Sequence, residues 1–185
     1  MVKEIMASHE TRMKKALDLL RKDYSTLRAG RATPALLDKI TVDYYGTPTP
    51  VNQVGNISVP EPRMIVIQPW EKNLLSAIEK AIMKSDLGLT PTSDGSVIRL
   101  LIPQLTQQRR SELVKVIHKK AEDCRVVVRN LRRDANDALK KTEKDKLISE
   151  DEAKKALDDI QKATDRFIKE VDQVMQAKEK EIMEV

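Results

Sequence analysis

The chain has 185 residues, 34 % of them charged, with a formal net charge of +5, one Cys and no extended apolar run. A single cysteine excludes a disulfide framework and fits a reducing cytosol, and the lack of any ~20-residue apolar stretch excludes a membrane-spanning helix. No apolar core follows the basic N-terminal residues as in an export signal, so the expected location is the cytoplasm; a net charge of +5 permits nucleic acid as a partner without requiring it.

Glycine and proline divide the chain. All five glycines lie between Gly30 and Gly95 and all eight prolines between Pro34 and Pro103, while residues 1–29 and 104–185 contain neither. Because Gly and Pro cost roughly 1 and 3 kcal/mol inside a helix, the flanks read as helical and the middle as turn-rich. The first flank carries a heptad of Met6, Met13, Leu20 and Leu27, interleaved with Leu17 and Tyr24. In the middle, Ile40, Val42 and Tyr44 alternate with polar residues, MIVIQ from Met64 is β-branched, and VIRLLI from Val97 follows an Asp94-Gly95 pair suited to a tight hairpin. Between these strands Leu74, Ile78, Ala81 and Ile82 define a short amphipathic helix, with Gly88 as its C′ residue. The second flank shows two more heptads. Ile117, Cys124, Leu131 and Ala138 interleave with Ala121, Val128 and Ala135; Ala153, Ile160, Phe167 and Val174 interleave with Leu157, Thr164 and Val171. Ser149 followed by Glu152 reads as a capping box, which puts a break near Leu147 and Ile148. Three helices of roughly 25, 40 and 35 residues result, the longest about 60 Å.

One narrow apolar stripe per helix is satisfied by a three-helix bundle, with self-assembly between copies as the competing arrangement. The expected fold is α+β and mainly α: a bundle from 1–29 and 105–185, with a small α/β domain inserted at 33–102. The chain leaves the bundle at Ala29, Gly30, Arg31 and Ala32 and returns at Pro103, Gln104 and Leu105. Two adjacent crossings at 30–32 and 103–104 make either a hinge or a rigid, capped junction.

Catalytic chemistry is missing from the pattern. His9 and His118 lack a second ligand at zinc spacing and read as surface helical residues; Cys124 falls on a core heptad position; no glycine-rich phosphate loop exists. The reading is of no enzyme, metal or cofactor. Basicity, by contrast, is local. Residues 1–31 hold eight Lys or Arg against four Asp or Glu, and 106–140 hold ten against five, whereas 33–104 and 141–185 lean acidic. Arg125, Arg129 and Arg132 fall within about 60° on the helix surface, with Arg133 about 40° beyond. They occupy e, b, e and f positions beside the buried seam. Two explanations stand: salt bridges to the acidic third helix, or a strip of planar forks for phosphates. With few aromatics for stacking and no helix-turn-helix or zinc signature, the phosphate reading favours structured RNA over single strands or duplex DNA.

Four segments carry a resemblance: LRAGRATPALLD (Leu27 to Asp38), VDYYGTPTP (Val42 to Pro50), EKAIMKSDLGLTP (Glu79 to Pro91) and VRNLRRDAND (Val128 to Asp137). In length and motif order the chain resembles the bacterial ribosome recycling factor family. The resemblance implies an L-shaped, tRNA-sized, monomeric molecule that acts after termination, lying across the A and P sites of the large subunit. With elongation factor G, whose own GTP is hydrolysed, such proteins separate the subunits and release mRNA. It implies that Arg129 and Arg132 contact large-subunit rRNA, a role extended here to Arg28, Arg31, Arg125 and Arg133. It also implies that the inserted domain, with Tyr44, Tyr45 and a Pro48 to Pro50 turn, is displaced by the elongation factor. A helical adaptor, binding a protein through its acidic third helix with the arginines as internal salt-bridge donors, is the reading from another class.

Overall fold

The computed structural model of the protein describes residues 1–27 and 30–184. Its helices are α1 (Val2–Ser25), α2 (Leu75–Lys84), α3 (Gln107–Lys144) and α4 (Glu150–Met183). Two compact units form, one from Met1–Arg28 with Thr106–Val185, the other from Ala29–Leu105.

In the first unit α1, α3 and α4 pack as a three-helix bundle, and local polar groups decide where each helix ends. α1 stops at Ser25, short of the heptad residue Leu27. The Ser25 hydroxyl donates to the Lys22 carbonyl at 2.6 Å and the Thr26 hydroxyl to the Asp23 carbonyl at 2.7 Å, taking the acceptors that another turn would use. Thr106 caps α3 by accepting from the Arg109 N–H at 3.1 Å, and Ser149 caps α4 by accepting from the Glu152 N–H at 3.1 Å. Between α3 and α4, Lys146 adopts a left-handed φ of 59°. Its N–H donates to the Glu143 carbonyl at 2.9 Å and that of Leu147 to the Thr142 carbonyl at 3.1 Å, closing a Schellman motif without glycine.

The seam joins Met13, Leu17, Leu20 and Tyr24 of α1 with Ile117, Ala121 and Val128 of α3 and Ile160, Thr164, Phe167 and Val171 of α4. The stripe drifts from a strict heptad: Leu139, not Ala138, is buried in α3, and Ala156 is buried in α4 beside a half-buried Leu157. A straight helix slips ~20° per heptad, which moves the seam by one position at this end. The Tyr24 hydroxyl donates to the Ile117 carbonyl at 2.7 Å, and burial pushes its pKa up to about 12.

Only one histidine lies on the surface as expected. His118 is exposed, its Nε2 3.0 Å from Glu179. His9 is only 3 % exposed, because it precedes Met13 by four residues and so extends the buried α1 stripe toward Leu131, Asp134 and Ala135 of α3. Neither ring nitrogen has a hydrogen-bond partner among the described residues. Burial pulls its pKa below the ordinary 6.5, with the nearby Arg12 adding to the shift and Glu10 opposing it. The unfolded chain therefore binds this proton more readily than the fold does. Stability should hold above pH ~6.5 and fall as the pH drops below it, before the carboxylates titrate near ~4. Urea midpoints at pH 7.5 and 5.5 should differ in the unaltered chain, and the difference should shrink in His9→Leu.

The second unit contains β1 (Thr41–Tyr44), β2 (Thr47–Pro50), β3 (Gly55–Glu61), β4 (Met64–Pro69), α2, β5 (Thr92–Ser93) and β6 (Ile98–Leu101). β1 and β2 form an antiparallel hairpin, and the other strands an antiparallel sheet in the order β3-β4-β6-β5. Ile65 and Ile67 of β4, Ile98 and Leu100 of β6 and Ile78 and Ile82 of α2 are fully buried at its centre. Three sequence expectations change here. Pro48 and Pro50 lie in a strand, not a turn: β2 is paired on one side only, where proline is tolerated, and the turn is Tyr45-Gly46, with φ of 50° and 84° as a two-residue type I′ hairpin needs. α2 ends well before Gly88, because the Ser85 hydroxyl takes the Ile82 carbonyl at 2.6 Å. The hairpin turns one residue later than the Asp94-Gly95 pair suggests: Ser93 pairs with Ile98, the Asp94 N–H donates to the Val97 carbonyl at 3.4 Å around Gly95 and Ser96, and Asp94 Oδ1 accepts from the Ser96 and Val97 N–H groups at 2.9 and 3.0 Å. Those two bonds and Arg99 hold the Asp94 carboxyl at a pKa of about 2.

Both ends of the unit are tied to the β3–β4 turn. The Ala32 N–H donates to the Pro62 carbonyl and the Ile102 N–H to the Arg63 carbonyl, each at 2.7 Å. Gly30 sits at φ +74° with its Cα against the Leu105 side chain, where an added Cβ would come within 3.2 Å.

Candidate nucleic-acid interface

The arginine strip follows from the α3 stripe. Cys124, Val128 and Leu131 are buried in the bundle, so residues one position further along are carried to the rim. Burial pushes the Cys124 thiol pKa up, and its Sγ donates to the Ala16 carbonyl at 3.6 Å, which keeps it a packing group.

The four arginines divide into three kinds. Arg125, with a side chain only 16 % exposed, donates from Nε and Nη2 to Asp172 Oδ1 of α4 at 2.9 and 2.6 Å, and from Nη1 to Glu122 at 3.0 Å. Partial burial opposes its charge, but the pairs with Asp172 and Glu122 outweigh that, and its pKa rises. Arg125 is thus an interhelical salt-bridge donor. Arg129 donates to the second oxygen of Glu122 at 3.2 Å, so one carboxylate holds two guanidinium groups; hydrogen bonds from Arg125 and then Arg129 lower its pKa. Arg132 and Arg133 differ again. Arg132 reaches only the Gln161 amide oxygen and Arg133 only the Asn130 amide oxygen, each at 3.5 Å, and neither is in an ion pair among the described residues. Their forks retain most of their donors for an external acceptor.

Of the other predicted residues, Arg28 and Ala29 lie outside the described residues, and Arg31 is exposed in the second unit, so it shares no element with the strip. Ala32 is buried, Leu105 half-buried, and Pro103 and Gln104 exposed. Glu122 and Asp172 were not anticipated as partners. Glu122 could have been found, since Glu122 and Arg125 are an i,i+3 pair; Asp172 could not, being 47 residues away in the chain. Among the described residues no group of three or more His, Cys, Asp or Glu could hold a metal ion, and no helix is long and apolar enough to cross a membrane.

Comparison with known proteins places the chain in a family. The profile of the family described as ribosome recycling factor matches residues 20–183. The chain is 65 % identical to a ribosome-recycling factor of Syntrophomonas wolfei and 64 % identical to that of Heliobacterium modesticaldum, over 185 residues and the full length of both. Its fold is similar to a solution structure of the ribosome recycling factor, with a TM-score of 0.78 and 48 % identity over 100 % of this chain and 98 % of the other. A second similar chain, at TM-score 0.64 and 46 % identity with full coverage of both, comes from models for the T. thermophilus ribosome recycling factor and the E. coli elongation factor G bound to the E. coli post-termination complex. With the family profile and full-length relatives in agreement, this chain belongs to the ribosome recycling factor family.

Proposed function

We propose that this protein recycles ribosomes after termination as a non-enzymatic, cytoplasmic and monomeric factor. The bundle anchors it on large-subunit rRNA, and elongation factor G, spending its own GTP, drives the subunits apart and releases mRNA. The chain itself uses no cofactor and needs neither DNA nor membrane. The observation that carries the reading is the pair Arg132, half-buried, and Arg133, exposed, at the bundle rim, neither of them in an ion pair among the described residues. Arg129, shared with Glu122, joins them when a phosphate competes for it; Arg125 supports the strip from within. An adaptor whose arginines served only as internal donors would have no use for two adjacent guanidinium groups on one face that reach only amide oxygens at 3.5 Å.

Residues 30–32 and 103–104 serve as the hinge in this scheme, with Arg28 and Arg31 supplying further phosphate contacts near the first crossing. A disulfide locking the two units at one angle should spare binding and abolish splitting. Light scattering of intact ribosomes mixed with the protein, elongation factor G and GTP tests the whole. A fall in scattering is expected; no fall, with the elongation factor active, would remove the proposal.

A further inference from the structure

The second unit has a polar and aromatic corner that the rRNA anchor does not use. At the β1–β2 turn, Tyr45 is 80 % exposed, an unusual position for a ring on a unit with so well filled a core. Its backbone is left-handed, with φ 50°. Its hydroxyl donates to Glu71 Oε2 at 3.3 Å, while Tyr44 donates to Glu71 Oε1 at 3.2 Å, and the two rings meet edge to face with centroids 4.6 Å apart. The hydroxyls are therefore turned inward to one carboxylate, and what Tyr45 presents to solvent is its ring. Glu71 has no Lys or Arg paired to it among the described residues; its two oxygens accept only from the tyrosine hydroxyls. Hydrogen bonding to Glu71, followed by partial burial and the carboxylate's charge, pushes the Tyr44 pKa up. Trp70, the only tryptophan of the chain and the neighbour of Glu71, is 70 % exposed.

An electron-rich ring face fixed beside an unpaired carboxylate suits one kind of group, a planar cation that stacks on the ring while its N–H donors meet the acid. RNA fits less well, since its phosphates would approach Glu71 and the exposed Asp43 with no compensating cation paired there. We infer that Tyr45, Tyr44 and Glu71 form a docking corner for an arginine presented by a protein segment. The inference rests on the reading that the second unit works against a protein partner while the bundle holds RNA.

The test uses the full chain and two defined probes, a hexaarginine peptide and hexauridine, followed through the Tyr45 ring resonances by NMR at low salt. Hexaarginine should shift those resonances. Glu71→Gln should weaken the response about fivefold, a typical cation–π and charge contribution, and Tyr45→Asn should abolish it at Tyr44 and Glu71. Asn is chosen because it favours the left-handed conformation and forms the preferred Asn-Gly hairpin, so the turn survives the loss of the ring. Tyr45→Phe, which keeps the ring, should bind within about twofold of the unaltered chain. A larger response to hexauridine than to hexaarginine would overturn the inference in favour of RNA. No response to hexaarginine, or one indifferent to both Tyr45→Asn and Glu71→Gln, would overturn it outright. Failure of the recycling proposal would show separately, as absent ribosome splitting by the unaltered chain.

Discussion

Arg132→Ala should weaken binding to the large ribosomal subunit about tenfold at low salt and reduce the slope of log affinity against log salt by about one counterion. Co-sedimentation over a salt series reads both quantities. The size follows from what Arg132 lacks. It makes one long contact, to the Gln161 amide oxygen at 3.5 Å, so its removal leaves no buried charge behind and barely alters the bundle. A charge-assisted, two-pronged contact to phosphate is the strong kind of hydrogen bond, and its loss falls on binding alone. An unchanged affinity and slope would sink the anchor role.

Arg125→Ala gives the contrast. Its guanidinium is nearly covered and bonded to Asp172 and Glu122, so truncation leaves Asp172 without its partner and frees Glu122 to hold Arg129 more tightly. The cost should appear as about 1–2 kcal/mol of folding stability, between the values for exposed and buried pairs, with the salt slope little changed. Two arginines seven residues apart thus predict opposite readouts, one in binding and one in stability. A result in which both variants lost binding equally would mean that the strip acts as one field rather than as separate contacts.

What could be read from residues alone, and what could not, follows the same division. The bundle was legible because its signals are local and repeated: heptads, a capping serine, and the confinement of Gly and Pro to the middle. Even there the heptad idealisation misplaced His9, since a spacing of four from Met13 buries it although it falls between the nominal seam positions. In the inserted unit, strands with alternating apolar residues were visible, while β2, with two prolines in four residues, was not. Its strand pairing comes from the left-handed Tyr45-Gly46 turn, and Tyr45 is a residue type that rarely advertises that conformation. For the arginines, periodicity established that they share a face. Which of them had an acid within reach depended on Asp172, far along the chain, and on the side-chain directions of two packed helices.

Gly55→Ala should separate the roles of the two units. Gly55 begins β3 opposite Pro69 of β4, and a Cβ there would lie 2.8 Å from the Gln68 carbonyl oxygen and 3.0 Å from the Pro69 Cα. Both obstacles are backbone, so no side chain can rotate aside and the two strands must part. Overpacking of this kind costs about 1–3 kcal/mol, a large share of the stability of a small unit. Because Ile65, Ile67, Ile98 and Leu100 are fully buried in this unit, amide hydrogen exchange of β4 and β6 over a denaturant series reports unfolding here, while far-ultraviolet circular dichroism is dominated by the three long helices. In the variant the exchange transition should move to lower denaturant and the helical transition should stay in place. If the bundle alone anchors the protein, Gly55→Ala should still sediment with large subunits, because Arg132 and Arg133 are untouched, yet split ribosomes poorly above the temperature at which the second unit melts. Splitting at full rate with that unit unfolded would show that the bundle suffices. Loss of sedimentation would place part of the anchor in the inserted unit, where Arg31 is the first residue to test.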